Sequence, residues 1–122
     1  MNEDLQVSQE LICLEYGSPW VPTLGSSIVG ASRDLKSGTK PVNGMRIPPK
    51  GDSSGWFIWA GTTLSDAPDF FAPVHAGHVV DWCPDIVRLL GLAPGWRFLW
   101  DGDYLDVWYD PELLKPPADA DV

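Results

Sequence analysis

The feature that most restricts the fold of this chain is an Asp-Gly pair between two aromatic-rich runs near its C-terminal end. Asp101-Gly102 separates the run 96–100 (Trp-Arg-Phe-Leu-Trp) from the run 103–109 (Asp-Tyr-Leu-Asp-Val-Trp-Tyr). Asp-Gly between β-rich runs is typical of a two-residue hairpin loop, because a type I′ turn needs positive φ at both central residues. The two runs are therefore predicted to be paired antiparallel strands.

The two-residue loop also predicts which residues of the hairpin face each other. Trp100 would lie opposite Asp103, and Arg97 would lie opposite Asp106, so that two opposite charges meet across the pair. The same register collects apolar side chains on one face of the hairpin, namely Trp96, Phe98, Leu105 and Val107.

Three further runs upstream of the hairpin are predicted to be strands, over residues 27–32, 42–47 and 54–61. The run 54–61 (Ser-Gly-Trp-Phe-Ile-Trp-Ala-Gly) is the strongest, because alternate residues are apolar on both of its faces. Such a pattern is typical of a central strand that is covered on each side.

A helical pattern follows over residues 74–92, and Pro84 interrupts it. It predicts two short helices, over about 74–82 and 84–91, the second with Pro84 in its first turn. Strands, helices and a hairpin in this order predict a single α+β domain with one mainly antiparallel sheet. The two short helices would lie between the central strand and the C-terminal hairpin.

The length of 122 residues favours one domain. We assign the α+β domain to residues 27–115. Residues 1–26 form an N-terminal segment in which the run 11–16 could be a strand, followed by turn-rich sequence. Residues 116–122, rich in Pro, Ala and Asp, are expected to be a disordered tail.

Acidic residues dominate the second half of the chain. Residues 61–122 carry eleven acidic and three basic residues, a net charge of −8, whereas residues 1–60 carry six acidic and five basic residues, a net charge of −1. Such a surface repels phosphate, so nucleic acid and anionic membranes are not expected as partners. The acidity favours a basic partner, although it also serves the solubility of a small domain.

The sequence is also typical of a cytoplasmic protein. Its N-terminus (Met-Asn-Glu-Asp) lacks the basic start of a signal peptide. No apolar stretch approaches the roughly 18 residues that span a bilayer. Cys13 and Cys83 lie far apart and do not form a disulfide framework, so both are expected to be reduced thiols.

One loop superficially resembles a catalytic motif. Residues 51–55 (Gly-Asp-Ser-Ser-Gly) are similar to the nucleophile loop of chymotrypsin-like proteases. That fold needs two barrels and about twice this length, and nothing in the spacing places a histidine near Ser53. We therefore interpret the run as a polar loop that enters a strand, and we expect no enzymatic activity.

His75, His78 and Cys83 are the only cluster of soft metal ligands in the sequence. A zinc site needs three or four ligands, so Asp81 or Asp85 would have to complete it. The sequence has neither a second cysteine pair nor a His-Glu-x-x-His pattern. We expect surface or helix-capping histidines, with no metal and no other cofactor.

Acidic residues cluster around the predicted hairpin tip, where side chains must be exposed. Their spacing lacks the later Glu of a calcium loop, so we expect a structural and electrostatic role rather than metal binding. Trp and Tyr beside the turn could anchor a partner. The predicted partner-binding residues are Trp100, Asp101, Asp103, Tyr104, Asp106 and Asp110.

Several of these runs together resemble the immunity-protein-33-like domains, which are encoded beside polymorphic toxins in bacteria. The similar segments are 28–33 (Ile-Val-Gly-Ala-Ser-Arg), 45–46 (Met-Arg), 52–61 (Asp-Ser-Ser-Gly-Trp-Phe-Ile-Trp-Ala-Gly) and 95–99 (Gly-Trp-Arg-Phe-Leu). The resemblance covers about residues 27–114. It implies a non-catalytic, cytoplasmic antitoxin that binds and neutralises a cognate toxin.

A second hypothesis comes from the histidines. A small enzyme, or a ligand- or metal-binding module, could use a pocket near His75 and His78. A deep pocket lined by both histidines would favour this alternative, and a neighbouring toxin gene would favour the immunity protein.

The expectation that the chain binds no metal gives a direct prediction. A strong chelator should leave the melting temperature unchanged, because a structural zinc ion would have contributed many kcal/mol to folding. Thermal unfolding with and without chelator measures this. A fall of more than a few degrees would point back to His75, His78 and Cys83 as ligands.

Overall fold

The computed structural model describes residues 3–115, which form six strands, two α-helices and three 3₁₀ helices. The α-helices are α1 (Glu3–Tyr16) and α2 (Ala76–Trp82). The strands are β1 (Ile28–Ser32), β2 (Val42–Arg46), β3 (Ser53–Ala60), β4 (Phe71–His75), β5 (Trp96–Trp100) and β6 (Leu105–Tyr109). The 3₁₀ helices cover Arg33–Ser37, Pro84–Leu89 and Pro111–Leu114.

The strands form one sheet in the order β4-β1-β3-β2-β5-β6. Only β1 and β3 run parallel, and the other four pairs are antiparallel. The predicted α+β fold with a mainly antiparallel sheet is therefore confirmed, and β3 lies inside the sheet as its apolar faces indicate. The two short helices also lie between β3 and the hairpin as predicted.

Strand β4 was missing from the sequence prediction, which began a helix at residue 74. It is an edge strand that pairs with β1 alone, and Pro73 lies at its centre opposite Gly30. A proline is compatible with an edge strand because its missing N–H can face away from the ladder. The short run Phe71–His75 has too little alternation to be distinguished from the helix that follows it.

One face of the sheet carries the hydrophobic core beneath the helices. Trp56 and Phe98 are fully buried there, with their ring centroids 5.6 Å apart. The Phe98 ring packs directly on the backbone of β2 at Gly44. A side chain at position 44 would overlap this ring, so the position requires glycine. Ile86, Leu89 and Leu90, from the stretch after α2, are buried in the same core cluster.

The possible strand over residues 11–16 is a wrong prediction, because these residues form the second half of α1. The helix packs against the 3₁₀ helix Pro84–Leu89 through Gln9, Ile12 and Cys13, which are buried at helical spacing. A six-residue apolar run does not separate strand from helix by periodicity, and the tertiary contact decides. The predicted tail, 116–122, lies outside the described residues.

The hairpin joins β5 and β6 as predicted, but its register differs. Trp100 pairs with Leu105, so residues 101–104 form a four-residue connection instead of a two-residue turn. In the described range no residue other than glycine has positive φ, so Asp101 does not adopt the type I′ conformation and only Gly102 is left-handed, with φ 68°. Because the pairing moves by two positions, every side chain keeps its predicted face.

The predicted pairing of Arg97 with Asp106 is wrong for the same reason. Arg97 lies opposite Trp108, and Asp106 lies opposite Leu99. The Arg97 guanidinium instead forms an ion pair with Asp110, with 3.2 Å between Nη1 and Oδ2. It also lies 5.5 Å from the centroid of the Trp108 ring.

A buried arginine joins three distant segments beside the core. Arg46, at the end of β2, is 2% exposed and has no acidic partner among the described residues. Its Nε donates to the carbonyl of Ser54 (2.9 Å), and its Nη1 donates to the carbonyls of Val21 (2.6 Å) and Leu92 (2.7 Å). Burial lowers the pKa of this guanidinium to about 10, so it remains charged at neutral pH.

Replacement of Arg46 should therefore cost far more stability than replacement of an exposed arginine. We expect Arg46→Ala to lower the free energy of unfolding by about 3–5 kcal/mol, because it leaves buried carbonyls without donors. The matched control is Arg33→Ala, whose side chain is exposed. Urea unfolding measures both variants, and equal losses would contradict the structural role of Arg46.

Candidate partner-binding surface

The tip of the β5–β6 hairpin is a short, internally bonded loop with outward-facing carboxylates. The N–H of Asp101 donates to the carbonyl of Tyr104 (2.8 Å), and the N–H of Asp103 donates to the carbonyl of Asp101 (2.7 Å). Asp101, Asp103 and Tyr104 are all exposed. The loop backbone is thus held by its own hydrogen bonds while its side chains remain accessible.

The other two predicted acidic residues have different surroundings. Asp106 is exposed on β6, which forms one edge of the sheet. Asp110 is half-buried and already engaged, because it accepts from Arg97 and from the N–H of Glu112 (3.1 Å) at the start of a 3₁₀ helix. Its carboxylate therefore fixes the end of β6, whereas Asp106 is available to a partner.

Trp100 is not an exposed anchor. It is only 8% exposed and belongs to the core cluster, where it pairs with Val42 and Leu105. The Nζ of Lys40 lies 5.3 Å from the centroid of its ring. The structure thus gives Trp100 a role beneath the hairpin.

Two tyrosines are the accessible aromatic residues of this region. Tyr104 is 58% exposed at the tip, and Tyr109 is 49% exposed at the far end of β6. Sequence reasoning missed Tyr109, although its position at the end of the last strand was a usable signal. Tyr109 points to the opposite face of β6 from Asp106, because side chains alternate along a strand. We call Asp101, Asp103, Tyr104 and Asp106 the hairpin surface.

The histidines lie close together at the start of α2. The ring centroids of His75 and His78 are 5.9 Å apart, and His78 also contacts the edge of Trp82. In the range 3–115 no three His, Cys, Asp or Glu side chains come together as metal ligands. A cavity beside α2 has neither histidine in its lining, which consists of Ala31, Ser32, Arg33, Lys36, Ala72, Val74 and Trp82.

Cys13 and Cys83 are not bonded to each other, and both are at least partly buried. Burial raises the pKa of the Cys13 thiol, whose Sγ lies 3.4 Å from the carbonyl oxygen of Gly91. Burial also raises the pKa of Cys83, and the neighbouring charge of Asp85 raises it further. Both shifts favour the neutral thiol over the thiolate.

A comparison with known protein families gives a match over most of the chain. The sequence profile of the Imm33-like domain matches residues 8–110, from within α1 to the residue after β6. The chain belongs to the Imm33-like domain family. The resemblance seen in the strand motifs is thus confirmed, and in this Imm33-like chain the match also takes in most of α1. No curated protein and no solved structure matches the chain.

Within the described part of this Imm33-like chain, no helix has the length and apolar character required to cross a bilayer.

The phenol of Tyr16, at the C-terminal end of α1, is half-buried. Its pKa is raised, first by desolvation, then by a hydrogen bond to Glu15, and further by the negative charges of Glu15 and Asp106, whereas Arg88 lowers it.

The burial of Trp100 and the exposure of Tyr104 predict that the first supports the fold and the second does not. We expect Trp100→Ala to lower the free energy of unfolding by about 3–5 kcal/mol, because it opens a cavity in the core. Tyr104→Ala should change it by less than about 0.5 kcal/mol, because the ring projects into solvent. Urea unfolding of both variants tests this, and a large loss at Tyr104 would show that its ring supports the fold.

Proposed function

We propose that this chain is a non-catalytic immunity protein that acts in the cytoplasm by binding and neutralising a cognate toxin. Its membership of the Imm33-like domain family carries this proposal. The hairpin surface is the candidate contact area, since it combines exposed carboxylates with the exposed ring of Tyr104 on a braced loop.

The charge of the hairpin favours a basic toxin surface. Between residues 98 and 114 the chain has five acidic residues and no basic one: Asp101, Asp103, Asp106, Asp110 and Glu112. Such a field raises the rate at which a positively charged partner arrives and disfavours like-charged partners. Nucleic acid remains an unfavourable partner for the same reason.

Tyr104 replaces Trp100 as the proposed aromatic anchor. An anchor must enter a pocket on the partner, and the exposed Tyr104 ring can do so without disturbing the core. Trp100 would contribute indirectly, by holding the strand from which the tip projects. This division predicts slower association when the acidic residues are neutralised and faster dissociation when Tyr104 is truncated.

The direct test is co-expression with the product of a toxin gene adjacent to this one. The parent chain should restore growth and should co-purify with the toxin at a fixed stoichiometry. Failure of the purified chain to bind that toxin, together with failure to restore growth, would overturn the proposal.

The electrostatic part of the proposal has its own prediction. The double variant Asp101→Asn with Asp103→Asn should reduce the association rate roughly tenfold at low salt and flatten its dependence on salt. Its fold should be unchanged, because both side chains are exposed. Stopped-flow or surface-based kinetics at two salt concentrations provide the measurement.

A control with the same net charge separates local from global electrostatics. Asp52→Asn with Asp81→Asn also removes two exposed acidic residues, but neither lies on the hairpin. If this pair slows association as much as the hairpin pair, the hairpin is not the contact surface.

A further inference from the structure

The outer side of α1 carries a continuous apolar stripe. Val7, Leu11 and Leu14 are 52%, 60% and 80% exposed, respectively. They follow one another at spacings of four and three residues, so they lie along one line of the helix. Single exposed leucines are ordinary on protein surfaces, but three in line on one helix form a patch of the kind that partners cover.

The inner side of the same helix is firmly attached to the domain. Gln9 is fully buried, and its amide donates to the carbonyl of Val87 (2.9 Å) and accepts from the indole of Trp20 (3.1 Å). Ile12 and Cys13 are buried beside it. These contacts use the opposite side of the helix and leave the apolar stripe facing solvent.

Carboxylates border the stripe on both sides. Glu10 lies three residues after Val7 and four before Leu14, which places it on one flank. Asp4 precedes Val7 by three residues and Glu15 follows Leu11 by four, which places both on the other flank. All three acidic side chains are exposed.

No positive charge offsets these carboxylates within the N-terminal part of the chain. Residues 1–32 contain four acidic residues and no lysine, arginine or histidine. The stripe is therefore an apolar ridge with negative margins, and a complementary surface is an apolar groove with positive margins.

We propose that α1 docks, through Val7, Leu11 and Leu14, into an apolar groove of the toxin whose rims carry lysine and arginine. This inference rests on the proposed function and extends it by naming a second contact element and the chemistry of its receptor site. Helix-in-groove recognition uses such regularly spaced apolar anchors.

The carboxylates beside the stripe favour a groove with basic rims over two other possible occupants. A second copy of the chain, packed stripe to stripe, would bring the flanking carboxylates of the two helices together. An anionic membrane would repel the same carboxylates. A groove with basic rims gains from both the apolar contact and the opposite charge.

The test compares two double variants in binding to the purified product of the adjacent toxin gene. Leu11→Gln with Leu14→Gln should weaken the affinity at least about 100-fold, because it removes two central apolar anchors. Glutamine and leucine have similar helix propensities, so α1 should persist, as circular dichroism and the melting temperature will show. The matched control is Leu24→Gln with Leu64→Gln, two leucines that are also exposed but lie outside α1.

The outcomes separate this inference from the proposed function. If the parent chain and the Leu11/Leu14 variant bind the toxin equally well, the inference is wrong while the proposed function stands. If the control pair weakens binding as much as the Leu11/Leu14 pair, the stripe has no special role and the inference is again wrong. If the parent chain does not bind at all, both fail.

Sedimentation of the parent chain without toxin tests the second copy as an occupant. We expect a monomer at micromolar concentration. A dimer that becomes monomeric in the Leu11/Leu14 variant would assign the stripe to self-association and overturn the inference.

Discussion

The architecture depends on one buried positive charge, the guanidinium of Arg46. The Arg46 guanidinium is tied to carbonyls that belong to the segment after α1, to the start of β3 and to the segment after the 3₁₀ helix Pro84–Leu89. An isolated charge in a protein interior is costly unless hydrogen bonds replace its hydration. Here carbonyl dipoles replace it, and the face of the Trp56 ring lies 5.5 Å away. The two segments around Val21 and Leu92, which have little regular structure, are thereby fixed in relation to the sheet.

This interaction explains which parts of the fold were predictable from the sequence. Local patterns predict β1, β2, β3 and both short helices, because alternation and proline position are readable along the chain. The Arg46 hydrogen bonds were not predictable, since their acceptors are main-chain atoms that any residue would supply. The predicted hairpin register was wrong because a local Asp-Gly signal favours a two-residue loop. In the structure Trp100 pairs with Leu105 and its indole is buried, so the connection has four residues.

The candidate site was likewise predictable only in part from the sequence. The acidic hairpin was predictable because its carboxylates are concentrated in a few residues beside a turn. The stripe on α1 was not, because apolar side chains on both sides of this helix cancel the periodic pattern by which helices are recognised. The net charge of −1 over residues 1–60 also does not reveal the four acidic residues of the first 32. The basic residues that offset them in the total all lie further along the chain, at Arg33, Lys36, Lys40, Arg46 and Lys50.

The proline at the centre of β4 limits the ways in which another molecule can attach to this domain. A partner that adds a strand to a sheet needs a regular row of main-chain donors and acceptors along the exposed edge. Pro73 lacks an N–H group, so the edge formed by β4 is interrupted in its middle. Strand addition and edge-to-edge aggregation are both disfavoured there. A partner that binds at this edge must therefore contact side chains, so its binding depends on the amino-acid sequence and not on the main chain alone.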